Sequence, residues 1–359
     1  MTSRQIPLVI LGFGRVGREL LRQVLHNCHN QPLAQPAFKI LALADSSALV
    51  GSPAVLDEAR LHALLAHKEA GSPLNGFPGA QPLASLSDYF SPGVLIADTS
   101  ASVETAPLLR LALQKGCALA LANKLPLALP WQDASGFFQN PRVRCESTVG
   151  AGLPVIAALR DQLACGDEIT AIEGCMSGTL GYLCSRLEQG SPFSAAVLDA
   201  FKSGFTEPDP RQDLGGLDVA RKALILARTA GFHFELADIA LESLFPSSLA
   251  ALSVSDFLQA LPELDAQFQG RSALAAGESK VLRYLARVTP QSISVGLSAV
   301  PKAGALGALQ GTDNFFAFHT RRYSASPLVI AGPGAGIPVT AAGVVADLNH
   351  LSVFMESEN

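Results

Sequence analysis

Short apolar runs at Leu8–Leu11, Phe38–Ala44, Val94–Asp98, Ala118–Leu121 and Val143–Glu146 punctuate the first third of the chain. Between them, Val16–Cys28 and Glu104–Lys115 place their apolar residues at helical spacing. Buried strands alternating with amphipathic helices predict βαβ units and a parallel sheet. Residues 50–90, rich in Ala, Leu, Pro and Gly, break this rhythm and predict an inserted helix and loop. After Gly152 the texture changes. Pro154–Cys165, Gly178–Glu188 and Asp218–Gly231 read as helices and Ile169–Cys175 as a strand. Val281–Val288, Ser292–Val300 and Phe315–Thr320 then predict strands of a second, more antiparallel domain. The uncharged stretch Leu328–Ala346 is long enough to cross a bilayer. Its interruption by Gly332, Pro333, Gly334, Gly336, Pro338 and Gly343 predicts instead a buried strand, a glycine turn and a helix.

Composition narrows the class. A chain of 359 residues exceeds one ordinary domain, and 48% hydrophobic residues can fill two cores. A net charge of -5 with no basic run argues against a nucleic-acid surface. The cysteines (Cys28, Cys117, Cys145, Cys165, Cys175, Cys184) include no Cys-x-x-Cys pair, which predicts reduced thiols in the cytoplasm. The apolar run Ile6–Leu11 is too short for a signal peptide, and no membrane association is expected.

Gly12-Phe13-Gly14-Arg15-Val16-Gly17 follows the first apolar run and opens the first helix. Such a turn brings backbone N–H groups and a helix N-terminus to a dinucleotide pyrophosphate; the bland reading is a plain strand-to-helix turn. The next strand ends at Asp45-Ser46-Ser47, where an acid accepts bonds from a ribose 2′-hydroxyl and repels a 2′-phosphate. No lysine or arginine follows until Arg60, so the reading leans to NAD over NADP, with Arg15 the one cation able to meet a 2′-phosphate from the glycine turn.

Further residues carry chemistry with alternatives open. Lys124, in Asn123-Lys124-Leu125-Pro126, ends a strand where open α/β sheets place ligands, though an isolated lysine is more often solvated. Glu146 and the glycine-spaced backbone to Pro154 suit a hard cation or, equally, an ordinary turn. Residues 204–222 crowd Glu207, Asp209, Asp213 and Asp218 into one glycine-bounded stretch. Like charges repel, so the cluster makes sense if it receives an ammonium group or a metal. Asp218 and Lys222 share a helix face; they form either a surface pair worth about 0.3–0.5 kcal/mol or a pocket pair in which Lys222 moves a proton. The histidines form no ligand pattern.

These motifs, in this order, resemble the homoserine dehydrogenases of the short kind, without aspartate kinase or regulatory domain. The likeness runs through Gly12–Gly17, Asn123-Lys124-x-Pro126, Glu146-x-x-Val149-Gly150-Ala151-Gly152-Leu153-Pro154 and Ser177-Gly178-Thr179-Leu180. It continues through Gly204–Lys222 and Gly332-Pro333-Gly334-Ala335-Gly336 with Thr340-Ala341. The resemblance implies an α/β protein: a Rossmann-type parallel sheet with a second α/β catalytic domain. Its expected domains are 1–147 for the dinucleotide, 148–322 for catalysis, substrate and dimerisation, and 323–359 as a return to the first. It implies NAD(P)-dependent interconversion of L-homoserine and L-aspartate 4-semialdehyde in threonine, methionine and isoleucine biosynthesis, by a homodimer.

Residue by residue, the resemblance makes Lys222 the catalytic lysine, with Asp218 and Lys124 beside it. Gly178, Thr179, Glu207 and Asp213 would bind substrate. Gly12, Phe13, Gly14, Arg15, Val16, Gly17, Asp45, Lys124, Gly334 and Thr340 would bind cofactor. Glu146 and the carbonyls of Val149, Ala151 and Leu153 would hold a monovalent cation, sodium in most relatives. The rival readings are an oxidoreductase for another small amino-acid alcohol and a non-catalytic NAD sensor.

Overall fold

The computed structural model describes residues 5–30 and 37–357; Cys28 and His29 lie in α1 below, but their side chains are outside the description. The chain divides into two compact units, Met1–Gly152 with Ala335–Asn359, and Leu153–Gly334.

The first unit runs β1 (Gln5–Leu11), α1 (Arg15–Asn30), β2 (Ala37–Ala44), β3 (Leu49–Gly51), α2 (Glu58–Glu69), β4 (Leu95–Asp98), α3 (Ala106–Gln114), β5 (Ala118–Leu121), α4 (Trp131–Phe138) and β6 (Val143–Arg144). Its sheet has the order β3-β2-β1-β4-β5-β6. β1 lies parallel to both β2 and β4, and β5 and β6 extend the parallel ladder. Leu8, Ile10, Leu95, Ala118 and Ala120 are fully buried, which is why these strands read as unbroken apolar runs rather than alternating ones. The edge is not parallel: β3 pairs antiparallel with β2, a short return too brief to show a period in sequence. Chain order reverses between β1 and β4, so the crevice at their carboxyl ends is the ligand position of such sheets.

The second unit runs α5 (Val155–Ala164), β7 (Ile169–Cys175), α6 (Gly178–Glu188), α7 (Phe193–Lys202), α8 (Arg211–Leu214), α9 (Leu217–Thr229), β8 (Ala240–Leu241), α10 (Val254–Ala260), α11 (Asp265–Gly277), β9 (Lys280–Val288), β10 (Ile293–Pro301), β11 (Asp313–Thr320) and β12 (Leu328–Pro333). Its order is β12-β11-β7-β9-β10-β8, antiparallel except where β8 joins β10. Because β12 pairs with β11 from Leu328 to Pro333, the return to the first unit begins at Ala335 rather than at residue 323. α9 is capped by Gly216, whose φ is +70° and whose added Cβ would lie 1.9 Å from the Tyr284 hydroxyl oxygen. Only glycine fits both constraints, and the helix is thereby seated against β9.

The chain ends in the first unit with α12 (Ile337–Ser357). This helix is long and apolar enough to cross a membrane by length and composition. Its Ala341, Val344, Leu348 and Leu351 pack with Leu8, Ile10 and Leu20 in the core of the unit.

Candidate active site

In the first unit the glycine turn is dictated by contact. Gly12 has φ +83°, and a Cβ there would lie 2.3 Å from the Ser100 nitrogen. A Cβ on Gly17 would lie 2.4 Å from the Gly12 carbonyl oxygen, so α1 packs as closely as a dinucleotide turn requires. Gly14 faces open space and Arg15 is exposed, whereas Val16 is half-buried. Phe13 is wholly buried and its N–H donates to the Ala44 carbonyl at 2.8 Å, which seats the turn. An open backbone cradle at a helix start suits a pyrophosphate.

Asp45 departs from the expectation of a free acid with no cation near it. Its Oδ1 accepts from the Ser47 N–H (2.8 Å), the Ser47 hydroxyl (2.6 Å) and the Ala48 N–H (3.2 Å). Its Oδ2 accepts from the Leu74 N–H at 3.0 Å and from Lys68 at 2.5 Å. Burial works against the charge, but these bonds outweigh it and hold the carboxyl at about 2. No lysine or arginine stands between Asp45 and Arg60 in the sequence; α2 folds back and brings Lys68 instead.

Lys124 is half-buried in the turn after β5, its carbonyl accepting from the Leu127 and Ala128 N–H groups, each at 3.1 Å. The apolar run at Val143 ends at Arg144, and Glu146–Thr148 form a 3-10 turn instead of continuing the strand. Glu146 is 7% exposed, and its N–H donates to Asp347 of α12 at 2.8 Å. Val149 is buried, Gly150 has φ +81°, and Ala151 is left-handed at φ +56° despite its Cβ. Among the described residues no group of three or more His, Cys, Asp or Glu is placed to hold a metal. One buried carboxylate with backbone carbonyls is an all-oxygen, singly charged donor set, which fits a hard monovalent cation better than a transition metal. Thr340 turns inward on its own helix, its hydroxyl donating to the Gly336 carbonyl at 2.7 Å while its carbonyl accepts from Ser147 at 2.8 Å.

In the second unit the structure sorts the acids of 204–222. Asp209 forms a two-pronged pair with Arg211, whose Nε and Nη2 lie 2.9 and 2.8 Å from its oxygens, and is thereby neutralised. Arg211, which also donates to the Ala250 and Leu252 carbonyls, had no role in the sequence reading. Asp213 instead accepts the Glu207 N–H at 2.8 Å and bonds to Thr179, whose hydroxyl also reaches the Phe205 carbonyl at 2.5 Å. Burial pushes the Asp213 carboxyl up, and the charges of Glu207 and Asp218 push it further. Gly178 begins α6 beside Thr179, held close to the Thr312 carbonyl.

Lys222 is 12% exposed and lies 2.9 Å from Asp218 Oδ2. It also donates to the Met176 carbonyl, just past β7, at 2.6 Å. An ammonium has three N–H donors; two are fixed by these partners and one remains to meet a ligand oxygen. The Met176 carbonyl is a contact no side-chain pattern could announce. Gly334, at the end of this unit, would carry its Cβ 1.9 Å from the Asn314 amide nitrogen, so no larger residue fits there. Leu153, at its start, accepts the Val155 N–H at 2.8 Å.

A family model described as homoserine dehydrogenase matches residues 154–348. A homoserine dehydrogenase of Paracoccidioides brasiliensis is 35% identical over 365 residues, covering 97% of this chain and 98% of its own length. Among solved structures, a putative homoserine dehydrogenase from Archaeoglobus fulgidus superposes with a TM-score of 0.77 at 26% identity, over 97% of this chain and 99% of that one. A hyperthermophilic archaeal homoserine dehydrogenase in complex with NADPH shares the fold, with a TM-score of 0.73 at 20% identity over 98% of each chain.

Proposed function

The chain belongs to the homoserine dehydrogenase family, and from that premise we propose how its residues carry the reaction. The protein is an NAD(P)-dependent oxidoreductase that interconverts L-homoserine and L-aspartate 4-semialdehyde in amino-acid biosynthesis. The nicotinamide cofactor supplies the hydride for the aldehyde carbon, or accepts it from the alcohol. Lys222 places its remaining N–H on the substrate oxygen, giving up the proton as the alcohol forms and taking it back in oxidation. Asp218 and the Met176 carbonyl fix that ammonium, and this arrangement carries the reading. Lys124 adds positive charge where the alkoxide develops. Glu207 and Asp213 take the α-ammonium of the substrate, whose charge relieves the repulsion between them. Gly178 and Thr179 line the same subsite.

The backbone from Gly12 to Gly17, with Arg15 exposed beside it, would hold the cofactor phosphates, and Gly334 and Thr340 complete its contacts. Lys68 neutralises Asp45, so NAD is favoured over NADP by a small factor only. Glu146, with the carbonyls of Val149, Ala151 and Leu153, would hold a sodium ion. The protein works as a cytoplasmic homodimer without nucleic-acid or membrane partners. Buried cysteines outside any disulfide, Cys117, Cys145, Cys175 and Cys184, support the reducing compartment. The dimer is supported by an open recess on the second sheet, lined by Leu285, Val295, Leu297, Phe315 and Val329.

The test is homoserine oxidation with NAD and NADP side by side, for the native protein and Lys222→Ala. Turnover lost with cofactor binding retained is the expected result. Folded, cofactor-bound native protein without a homoserine-dependent rate would overturn the reading.

A further inference from the structure

Asp98, the last residue of β4, is wholly buried, where a carboxylate is tolerated only if its oxygens are hydrogen-bonded. Its Oδ1 accepts the Ser100 N–H at 2.9 Å; its Oδ2 accepts the Thr105 hydroxyl at 2.8 Å and the Asn123 amide at 3.1 Å. Asn123, 2% exposed, has one amide hydrogen left, which goes to the Ser102 carbonyl at 2.7 Å, with the Ser100 hydroxyl oxygen 3.1 Å from the same nitrogen. Its Oδ1 then accepts the Leu125 N–H at 3.1 Å, closing a short turn over Lys124. One residue on, the Thr99 hydroxyl contacts the Leu11 and Gly12 carbonyls at 3.0 and 2.9 Å. A buried polar knot thus ties together the loops that leave β1, β4 and β5, and Lys124 sits inside its last turn.

We infer that Asp98 and Asn123 are positioning residues that hold the Lys124 backbone where its ammonium can serve turnover. Asn123 suits the place because it donates on one side and accepts on the other, bracketing the lysine. Aspartate suits its place because each of its oxygens faces an N–H: Oδ1 that of Ser100 and Oδ2 that of Asn123. An amide there would turn its NH2 towards the N–H of either Ser100 or Asn123. The inference rests on the reading of Lys124 as part of the reaction site.

A double-mutant cycle separates positioning from mere structural support. Asn123→Ala should lower kcat about 10- to 100-fold, the scale of a small misplacement of a reacting group, with KM for homoserine changed less than about threefold. In a Lys124→Ala background the same substitution should cost less than about threefold more, since the group it positions is gone. Equal fold-losses in both backgrounds, or an undiminished kcat in Asn123→Ala, would overturn the inference. If Asn123→Ala does not fold, Asp98→Asn and Asn123→Ser complete the same cycle. Full kcat in Lys124→Ala would remove the reading of Lys124 and this inference with it; impaired Lys124→Ala with additive losses would remove the inference alone.

Discussion

Lys68, in the last turn of α2, reaches Asp45 at the end of β2 across 2.5 Å, with side-chain exposures of only 16% and 11%. The acid that ordinarily repels a 2′-phosphate is therefore accompanied by its own cation. Lys68→Met unmasks the carboxylate. It should lower kcat/KM for NADP by roughly fivefold and leave NAD nearly unchanged, on the scale of ~1 kcal/mol for one charge acting through water. Parallel kinetics with the two cofactors check this; equal loss for both would mean that the pair only braces the fold.

The same pair shapes the acid limb of stability. The carboxyl of Asp45 is held at about 2 against 3.8 for the ordinary group, so the folded state prefers the ionised form. Its contribution is whole above pH 3.8 and is lost as pH falls towards 2. Asp45→Asn should lose stability at pH 6, with the gap to the native protein closing between those values. Urea unfolding from pH 6 to pH 2 gives the comparison, and a gap that persists at the acid end would contradict it.

Asp213 predicts the opposite sign. Burial, and after it the charges of Glu207 and Asp218, raise its carboxyl above 3.8, so the folded state prefers the protonated form. Ionisation then subtracts stability, increasingly as pH rises above 3.8 and through the raised value of the folded state. Asp213→Asn keeps an acceptor for the Glu207 N–H and can donate to Thr179, whose own hydrogen has the Phe205 carbonyl. The variant without ligand should melt higher than the native protein at pH 7. KM for homoserine should rise roughly 10- to 100-fold, the ~1.5–3 kcal/mol of a charged hydrogen bond. A lower melting temperature at pH 7 would count against the acid cluster as a strained ammonium site.

Legibility followed the range of the interaction. β5 was readable to the residue because a strand buried on both faces is an unbroken apolar run; β7 was readable from Ile169, Ala171 and Ile172, although Thr170 is exposed and Glu173 half-buried. α7, α10 and α11 were not marked out: α11 mixes Gln, Gly, Ser and Ala, and only Phe268 and Ala275 of it are buried. Among the candidate functional residues of the second unit, Lys222 and Asp218 were visible as a pair four residues apart on one helix. Lys68 and Asp45 were not, because only the turn of α2 back over β2 brings them together. Asp98 left a signal that was passed over: an acid directly closing an apolar strand is either exposed or wholly satisfied, and here it is satisfied.

α12 grips the loop proposed to hold sodium along successive turns. Thr340 accepts from Ser147, Asp347 accepts the Glu146 N–H, and between them Gly343 faces the loop. A Cβ on Gly343 would lie 2.4 Å from the Ser147 hydroxyl oxygen and 2.9 Å from the Ala151 carbonyl oxygen. In an open helix Gly→Ala stabilises by about 1 kcal/mol. Here the Ser147 side chain can rotate away, but the Ala151 carbonyl is backbone and moves only with the loop. Gly343→Ala should therefore destabilise by roughly 1–3 kcal/mol, as overpacking does, and displace a carbonyl assigned to the cation. Thermal unfolding in sodium chloride against N-methylglucamine chloride at equal ionic strength reads both effects. The native protein should melt higher in sodium, and Gly343→Ala should lose most of that difference. A sodium response of equal size in both proteins would show that the loop from Glu146 to Ala151 does not bind the ion.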